Sequence, residues 1–373
     1  MKKIILLALG LLVLSCAKHI NQSQNTTKES NSLQTVFKNQ FYVGAALNER
    51  QIKGSDTKGN RILEKEFNTI SPENCMKWMF LQPKPNVFDF KMADKYVALG
   101  EKINAHIIGH TLVWHSQLAA FMKEEQDSAQ MASYIHNHIQ TVVSRYKGKI
   151  GTWDVVNEAL KENGDLRQSV FLNVLGEGYL SQAFKWAAQY DPNAKLMYND
   201  YNICHPKKRA GVVRLVKQLQ ADGARIDGVG IQAHWDLKKP SIQQIEETIL
   251  TYAALGVQVS FTELDISVLP NPWELVGAEV SQNFEKYIGD KTMDPYSNGL
   301  PDEVQDALAA RYQELFKLFV KHQDKIDRVT FWGISDKNSW LNDFPIKQRT
   351  NYPLLFDRNY QPKKAYSSLL ELQ

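Results

Sequence analysis

The chain has 373 residues, 43% of them hydrophobic and 23% charged, with a formal net charge of +3. That composition is ordinary for a globular domain, and the length suits one large barrel of alternating strands and helices. Lys2 and Lys3 supply two of the three net charges, and no basic face accompanies the balance, so nothing points to nucleic acid as a partner.

Lys2 and Lys3 precede an apolar run over 4–14 that is too short to span a bilayer and fits the hydrophobic stretch of an export signal. It ends in Val13-Leu14-Ser15-Cys16, which resembles a bacterial lipobox. Two readings stand: a lipoprotein lipidated at Cys16 after cleavage, or an ordinary secretory leader with an incidental cysteine. The first is taken, because cysteine is scarce here and this one lies where the apolar run stops. Residues 17–35 are polar and read as a flexible tether. The expected organisation is a leader over 1–15, a tether over 16–36 and one catalytic domain over 37–373, exported and anchored in a membrane through Cys16, with plain secretion as the alternative. Cys75 and Cys204, two cysteines far apart in sequence, make no disulfide framework and no zinc signature; each lies just past a strand-like run, so a bridge between them is the alternative to the reading taken, free small residues.

From Phe41 onward, strand-like runs alternate with helical periodicity. The runs are FYVGAAL (41–47), FNTISPEN (67–74), HIIGHTLVW (106–114), TWDVVNE (152–158), KLMYNDYN (195–202), GVGIQAHW (228–235), VQVSFTELDIS (257–267) and DRVTFWGIS (327–335). Between them, Met131, Ile135, Ile139, Val142 and Tyr146 make one helical stripe. Ser241 and Gln244 form a capping box with Gly256 placed to end that helix, and Val304, Leu308, Tyr312, Leu315 and Phe319 share a face over 301–322. Eight strands alternating with helices predict an α/β fold, the (β/α)8 TIM barrel. Polar residues gather near the C-terminal ends of the runs: Glu73, Asn74, His110, Asn157, Glu158, Asn199, Asp200, Gln232, His234, Glu263, Asp265 and Trp332. In such barrels that end carries the active site.

Glu158 ends the fourth run and Glu263 lies near the end of the seventh, almost opposite it in an eight-membered ring. A facing carboxylate pair is the apparatus of glycoside hydrolysis. Either residue alone also fits an acid favoured at a helix start. Trp114, Trp235, Trp332 and Trp340 offer flat faces for sugar rings, and Asn74, Lys77, His110, Asn157 and Gln232 offer hydroxyl partners. No glycine-rich turn for phosphate follows the last two runs. His110 and His115 have odd strand spacing, and 53–60 (KGSDTKGN) reads as a turn rather than a calcium loop. No metal or cofactor is expected.

The stretches ENCMKW (73–78), GHTLVWHSQ (109–117), WDVVNEAL (153–160), YNDYN (198–202), GVGIQAHW (228–235), FTELDIS (261–267), FWGISDKNSWLNDFP (331–345) and PLLFD (353–357) resemble the glycoside hydrolase family 10 endo-β-1,4-xylanases over nearly all of 37–370. The resemblance implies retention of configuration, with Glu158 as acid/base and Glu263 as nucleophile. It also implies a unit of Glu263, His234 and Asp265, with Asn157 on the 2-hydroxyl of the cleaved sugar. Glu73, Asn74, Lys77, His110, Trp114, Gln232, Trp332 and Trp340 would line the non-reducing subsites, the last two tryptophans crowding the C6 group that xylose lacks. Xylan and xylo-oligosaccharides are the expected partners, and a monomer is expected.

The segment over 268–299, with Trp273, Asp294 and Tyr296, matches no family pattern and is expected to rim the product side. Two rivals remain: a cellulase or mixed-linkage glucanase on the same barrel, and a surface polysaccharide-binding lipoprotein without activity. The second sits poorly with two intact glutamates.

Overall fold

The computed structural model describes residues 31–275, 282 and 284–372. The leader, Cys16 and most of the expected tether lie outside the described residues. Nine strands are described: β1 (Tyr42–Leu47), β2 (Thr69–Pro72), β3 (His106–Trp114), β4 (Thr152–Asn157), β5 (Lys195–Asp200), β6 (Gly228–Ile231), β7 (His234–Asp236), β8 (Gln258–Ser267) and β9 (Ile326–Phe331). β1 to β6 pair in sequence, β6 pairs with β8, β8 with β9 and β9 with β1, all in parallel. Eight strands therefore close on themselves, and the ring has no free edge. β4 is buried along its whole length, as a strand covered on the outside by helices and on the inside by the barrel core must be.

The helices close the outer layer as their periodicity requires. Ser128–Arg145 buries Met131, Ile135, Ile139, Val142 and Val143, and the Asp127 side chain caps it by accepting from Gln130 N–H. The capping box of Ser241 and Gln244 is formed at the start of Ile242–Ala253, and Gly256 adopts φ +77 just beyond its end. Pro301 caps Asp302–Lys321, whose Leu308, Tyr312, Leu315 and Phe319 are buried. Among the described residues no helix is long and apolar enough to cross a membrane. Cys75 and Cys204 are free and buried, and burial pushes both thiols up to about 12.

Three expectations change. The end of the expected tether is folded: Leu33–Val36 is a short helix, Leu33 is buried and its N–H donates to Glu66 Oε2 at 3.0 Å, and Phe37 stacks on Phe41. Two apolar side chains among polar neighbours are enough to dock that turn. The 53–60 stretch is only in part a turn. Gly54 is left-handed at φ +74, and Asp56 then caps the helix Thr57–Glu66 through Gly59 N–H. Asp56 also accepts from Gln51 Nε2 and the Tyr360 hydroxyl, so its carboxylate serves the fold.

The sixth run is not one strand. β6 stops at Ile231, Ala233 is left-handed at φ +67, and β7 resumes at His234 paired with Asp265. Gln232 N–H donates to Asp200 O and Glu263 N–H donates to Gln232 O, so ladder bonds hold the break in place. Its effect is to place Gln232 over the ring while His234 joins the outer end of β8.

Candidate active site

A cleft of about 130 Å³ at the C-terminal rim is lined by Glu73, Asn74, Lys77, His110, Trp114, Gln117, Asn157, Glu158, Gln232, His234, Glu263, Trp332 and Trp340. Both glutamates and most residues expected around them lie in that wall; Asn199 and Asp200 do not line it, and Asp265 stands behind His234 and lines a neighbouring cavity of about 550 Å³. Trp235 belongs to that second cavity too, edge-on to Phe261, so it faces away from the two glutamates. Gln117 was not anticipated. It lies in a turn with φ +46, and its carbonyl accepts from Met79 N–H. Asn199, seen in sequence only as a polar strand end, proves to be the link between the carboxylates.

Glu158 follows the last residue of β4 in a left-handed conformation, φ +57, which is uncommon for a side chain of its size. The peptide is held there by its N–H on Asn199 O at 2.9 Å. Its Oε2 accepts from Trp114 Nε1 at 2.8 Å and its Oε1 from Gln232 Nε2 at 2.9 Å. Such donors favour the charged form, yet burial outweighs them and, with the charge of Asp200 adding to it, pushes the Glu158 carboxyl up to about 7.

Glu263 sits where β8 bulges between Phe261 and Leu264. Burial would raise its carboxyl as well. Here the hydrogen bond from His234 leads the opposing effects, and Glu263 is held below the usual glutamate range. His234 Nε2 is 3.1 Å from Glu263 Oε2 and its Nδ1 is 3.0 Å from Asp265 Oδ1. Burial opposes a charge on that ring, but Asp265 and Glu263 together raise it to about 10, so it stays an imidazolium donating at both nitrogens. Trp340 Nε1 donates to the other Asp265 oxygen at 2.7 Å and fixes that carboxylate in turn.

Asn199 Nδ2 donates to Glu263 Oε1 and to Asn157 Oδ1, both at 2.9 Å, and Asn157 Nδ2 lies 3.3 Å from Glu158 Oε1. A chain of amides thus spans the floor between the glutamates. Gly230 makes room for it, because a Cβ there would stand 2.4 Å from Asn199 Oδ1. Lys77 donates to Asn74 and lies 4.9 Å from the centre of the Trp114 ring. Burial lowers its ammonium while the three nearby glutamates, Glu263 foremost, oppose that. His110 Nδ1 pairs with buried Asp154 at 3.0 Å.

Along 268–299 the described residues are tied to the segment at 349–352. Thr350 N–H donates to Asp294, Tyr352 hydroxyl to Tyr296 O, and Arg349 Nη1 to Pro270 O. Asp294 and Tyr296 therefore anchor the loop, and Asn271 and Leu275 are its members that line the larger cavity, while Trp273 is 88% exposed.

A proton-bearing and an ionised carboxyl group facing each other over a barrel mouth define a glycoside-cleaving enzyme. The family model of Glycosyl hydrolase family 10 matches residues 32–372, and the chain belongs to that family. It is 42% identical to endo-1,4-beta-xylanase A of Xylanibacter ruminicola, with both chains covered in full, and 38% identical to an endo-1,4-beta-xylanase of Geobacillus stearothermophilus over 90% of this chain and 96% of the other. The solved structure of an endoxylanase of the same family, retrieved from a sugarcane soil metagenome, superposes with a TM-score of 0.88 at 44% identity, covering 92% of this chain and all of that one.

The unequal carboxyls set a pH dependence. An enzyme that needs Glu158 protonated loses kcat/KM as pH rises through the Glu158 midpoint, so the alkaline limb is expected near pH 7, with the acid limb below the usual glutamate range. An activity profile flat to pH 9 would contradict the assignment.

Proposed function

We propose that the protein is a retaining endo-1,4-β-xylanase in which Glu263 is the nucleophile and Glu158 the acid/base. The observation that supports this most strongly is the split of protonation between two buried carboxyls in one cleft, with Glu263 kept charged by His234 and Glu158 pushed up to about 7. In the first step a Glu263 oxygen attacks the anomeric carbon while Glu158 delivers its proton to the departing glycosidic oxygen. In the second, the Glu158 carboxylate takes a proton from water, which attacks from the face the leaving group vacated, opposite Glu263, and releases the Glu263 carboxylate. Two inversions give net retention.

Asn157 suits the 2-hydroxyl of the cleaved sugar, a contact that strengthens as positive charge develops on the ring. Its amide is already oriented by Asn199, so little ordering is needed on binding. Trp332 and Trp340 both lie edge-on or tilted against His234, and Trp340 stacks on Phe344 at 4.4 Å. Neither ring can swing away without uncovering the nucleophile's partner, which supports rejection of a sugar that carries a C6 hydroxymethyl group.

On this reading hydrolysis of xylan exceeds that of carboxymethyl cellulose by roughly a hundredfold or more, the discrimination a filled pocket can give. A preference for cellulose would sink the substrate assignment. Glu158→Ala is expected to keep the first step on aryl xylobiosides with good leaving groups and to recover turnover with azide, releasing a glycosyl azide. A folded variant that azide does not rescue would remove Glu158 from the acid/base role.

For the N-terminus we propose a lipid anchor at Cys16, supported by the lipobox-like Val13-Leu14-Ser15-Cys16 after a short apolar run. Labelled palmitate is then incorporated by the parent and not by Cys16→Ala. Equal labelling of both would refute the anchor.

A further inference from the structure

The main chain of the general acid is held from several sides. Arg167 Nε donates to the Glu158 carbonyl at 3.0 Å, and the next amide, Ala159 N–H, donates to the Tyr198 hydroxyl at 3.1 Å. That hydroxyl donates onward to Asp200 Oδ2 at 2.5 Å. The other Asp200 oxygen accepts from Tyr201 N–H at 2.8 Å and lies 2.9 Å from Lys208 Nζ. Asp200 and Lys208 are both fully buried, and neither lines the cleft. The Lys208 ammonium also lies 3.6 Å from the centre of the Tyr201 ring and 3.3 Å from Glu162 Oε1.

A fully buried ion pair is a costly way to fill space, and a well-packed apolar pair of like volume would serve stability as well or better. This pair is wired by one hydroxyl to the peptide that sets a strained, left-handed glutamate. We propose that Asp200 is a positioning residue for the general acid: through the Tyr198 hydroxyl it fixes the peptide after Glu158, and its buried charge, held by Lys208, keeps the proton on Glu158. The proposal rests on the acid/base role of Glu158 given above.

The groups around Glu158 give the sign. Asp200 on β5 and Glu263 on β8 are negative, Lys77 after β2 and Arg167 after β4 are positive, and Trp114 and Gln232 donate to the carboxyl. Burial raises the Asp200 carboxyl itself, Lys208 is the largest influence opposing that, and Arg167, Tyr198, Tyr201 and Tyr252 also face it, with Glu162 on the far side of Lys208. After burial, Asp200 is the largest influence raising Glu158. Removing its charge therefore lets Glu158 ionise at lower pH.

Asp200→Asn tests this on two substrates. The alkaline midpoint of kcat/KM on xylan is expected to move about one pH unit toward acid. Activity at neutral pH is expected to fall roughly tenfold more on xylan than on a dinitrophenyl xylobioside, whose leaving group needs no proton. Tyr198→Phe keeps the charge and cuts the link, so kcat on xylan falls while the alkaline midpoint stays. A folded Asp200→Asn with an unmoved midpoint, or with equal losses on both substrates, overturns the proposal. Should that variant not fold, Asp200→Asn with Lys208→Met removes both buried charges and carries the same two expectations; its failure to fold would assign the pair to stability alone and overturn the proposal as well. A wrong acid/base assignment shows up separately, as absence of azide rescue in Glu158→Ala with Asp200 intact.

Discussion

Two carboxyl groups buried in one small cleft would both hold their protons if burial alone decided. The constraint that breaks the symmetry is the placement of one imidazolium between Glu263 and Asp265. His234 touches both acids at about hydrogen-bond length, 3.1 and 3.0 Å, and against burial the two acids raise its ring to about 10. Glu263 is thus held below the usual glutamate range by a ring that Asp265 supports from its other side. Glu158 has no such cation bonded to its carboxyl, and burial, with the charges of Asp200 and Glu263 adding to it, pushes it up to about 7.

The barrel delivers this arrangement by giving each member a separate strand end. Asn157 and Glu158 come from β4, Asn199 and Asp200 from β5, Gln232 from the end of β6, His234 from β7, and Glu263 and Asp265 from β8. Because neighbouring strands are parallel, all of these ends reach the same rim. Two local irregularities then aim the side chains. The left-handed Ala233 sends His234 to the outer end of β8, and the left-handed Glu158 points its carboxyl at Trp114 and Gln232. Both departures from regular strand geometry lie at or beside residues proposed for the chemistry, Glu158 and His234, as strain stored at functional sites tends to do.

Much of this was legible in the sequence. Eight apolar runs gave the ring, and the clustering of polar residues at their C-terminal ends gave the cleft, because strand period and apolar content are local signals. What was hidden depends on partners across the ring. The break at Ala233 leaves no mark in an apolar run, since nothing in GVGIQAHW records that Asp265 waits on another strand. Asn199 and Asp200 read alike as polar strand ends, yet one bridges the two glutamates and the other is neutralised by Lys208 from a neighbouring helix. Leu33 passed for part of a tether because its burial rests on contacts far along the chain, among them Glu66. Trp235 looked like a cleft tryptophan by position, and only the turn at Ala233 takes it to the neighbouring cavity.

The central claim is that Glu263 carries the sugar between the two steps. A 2-deoxy-2-fluoro xylobioside with a good leaving group slows the second step more than the first, so intact mass followed by peptide mapping reads out the attachment point. One equivalent of 2-deoxy-2-fluoroxylobiosyl on the peptide that contains Glu263, absent in Glu263→Gln, is the expected result. Attachment at another residue, or no adduct together with products of inverted configuration, would contradict it.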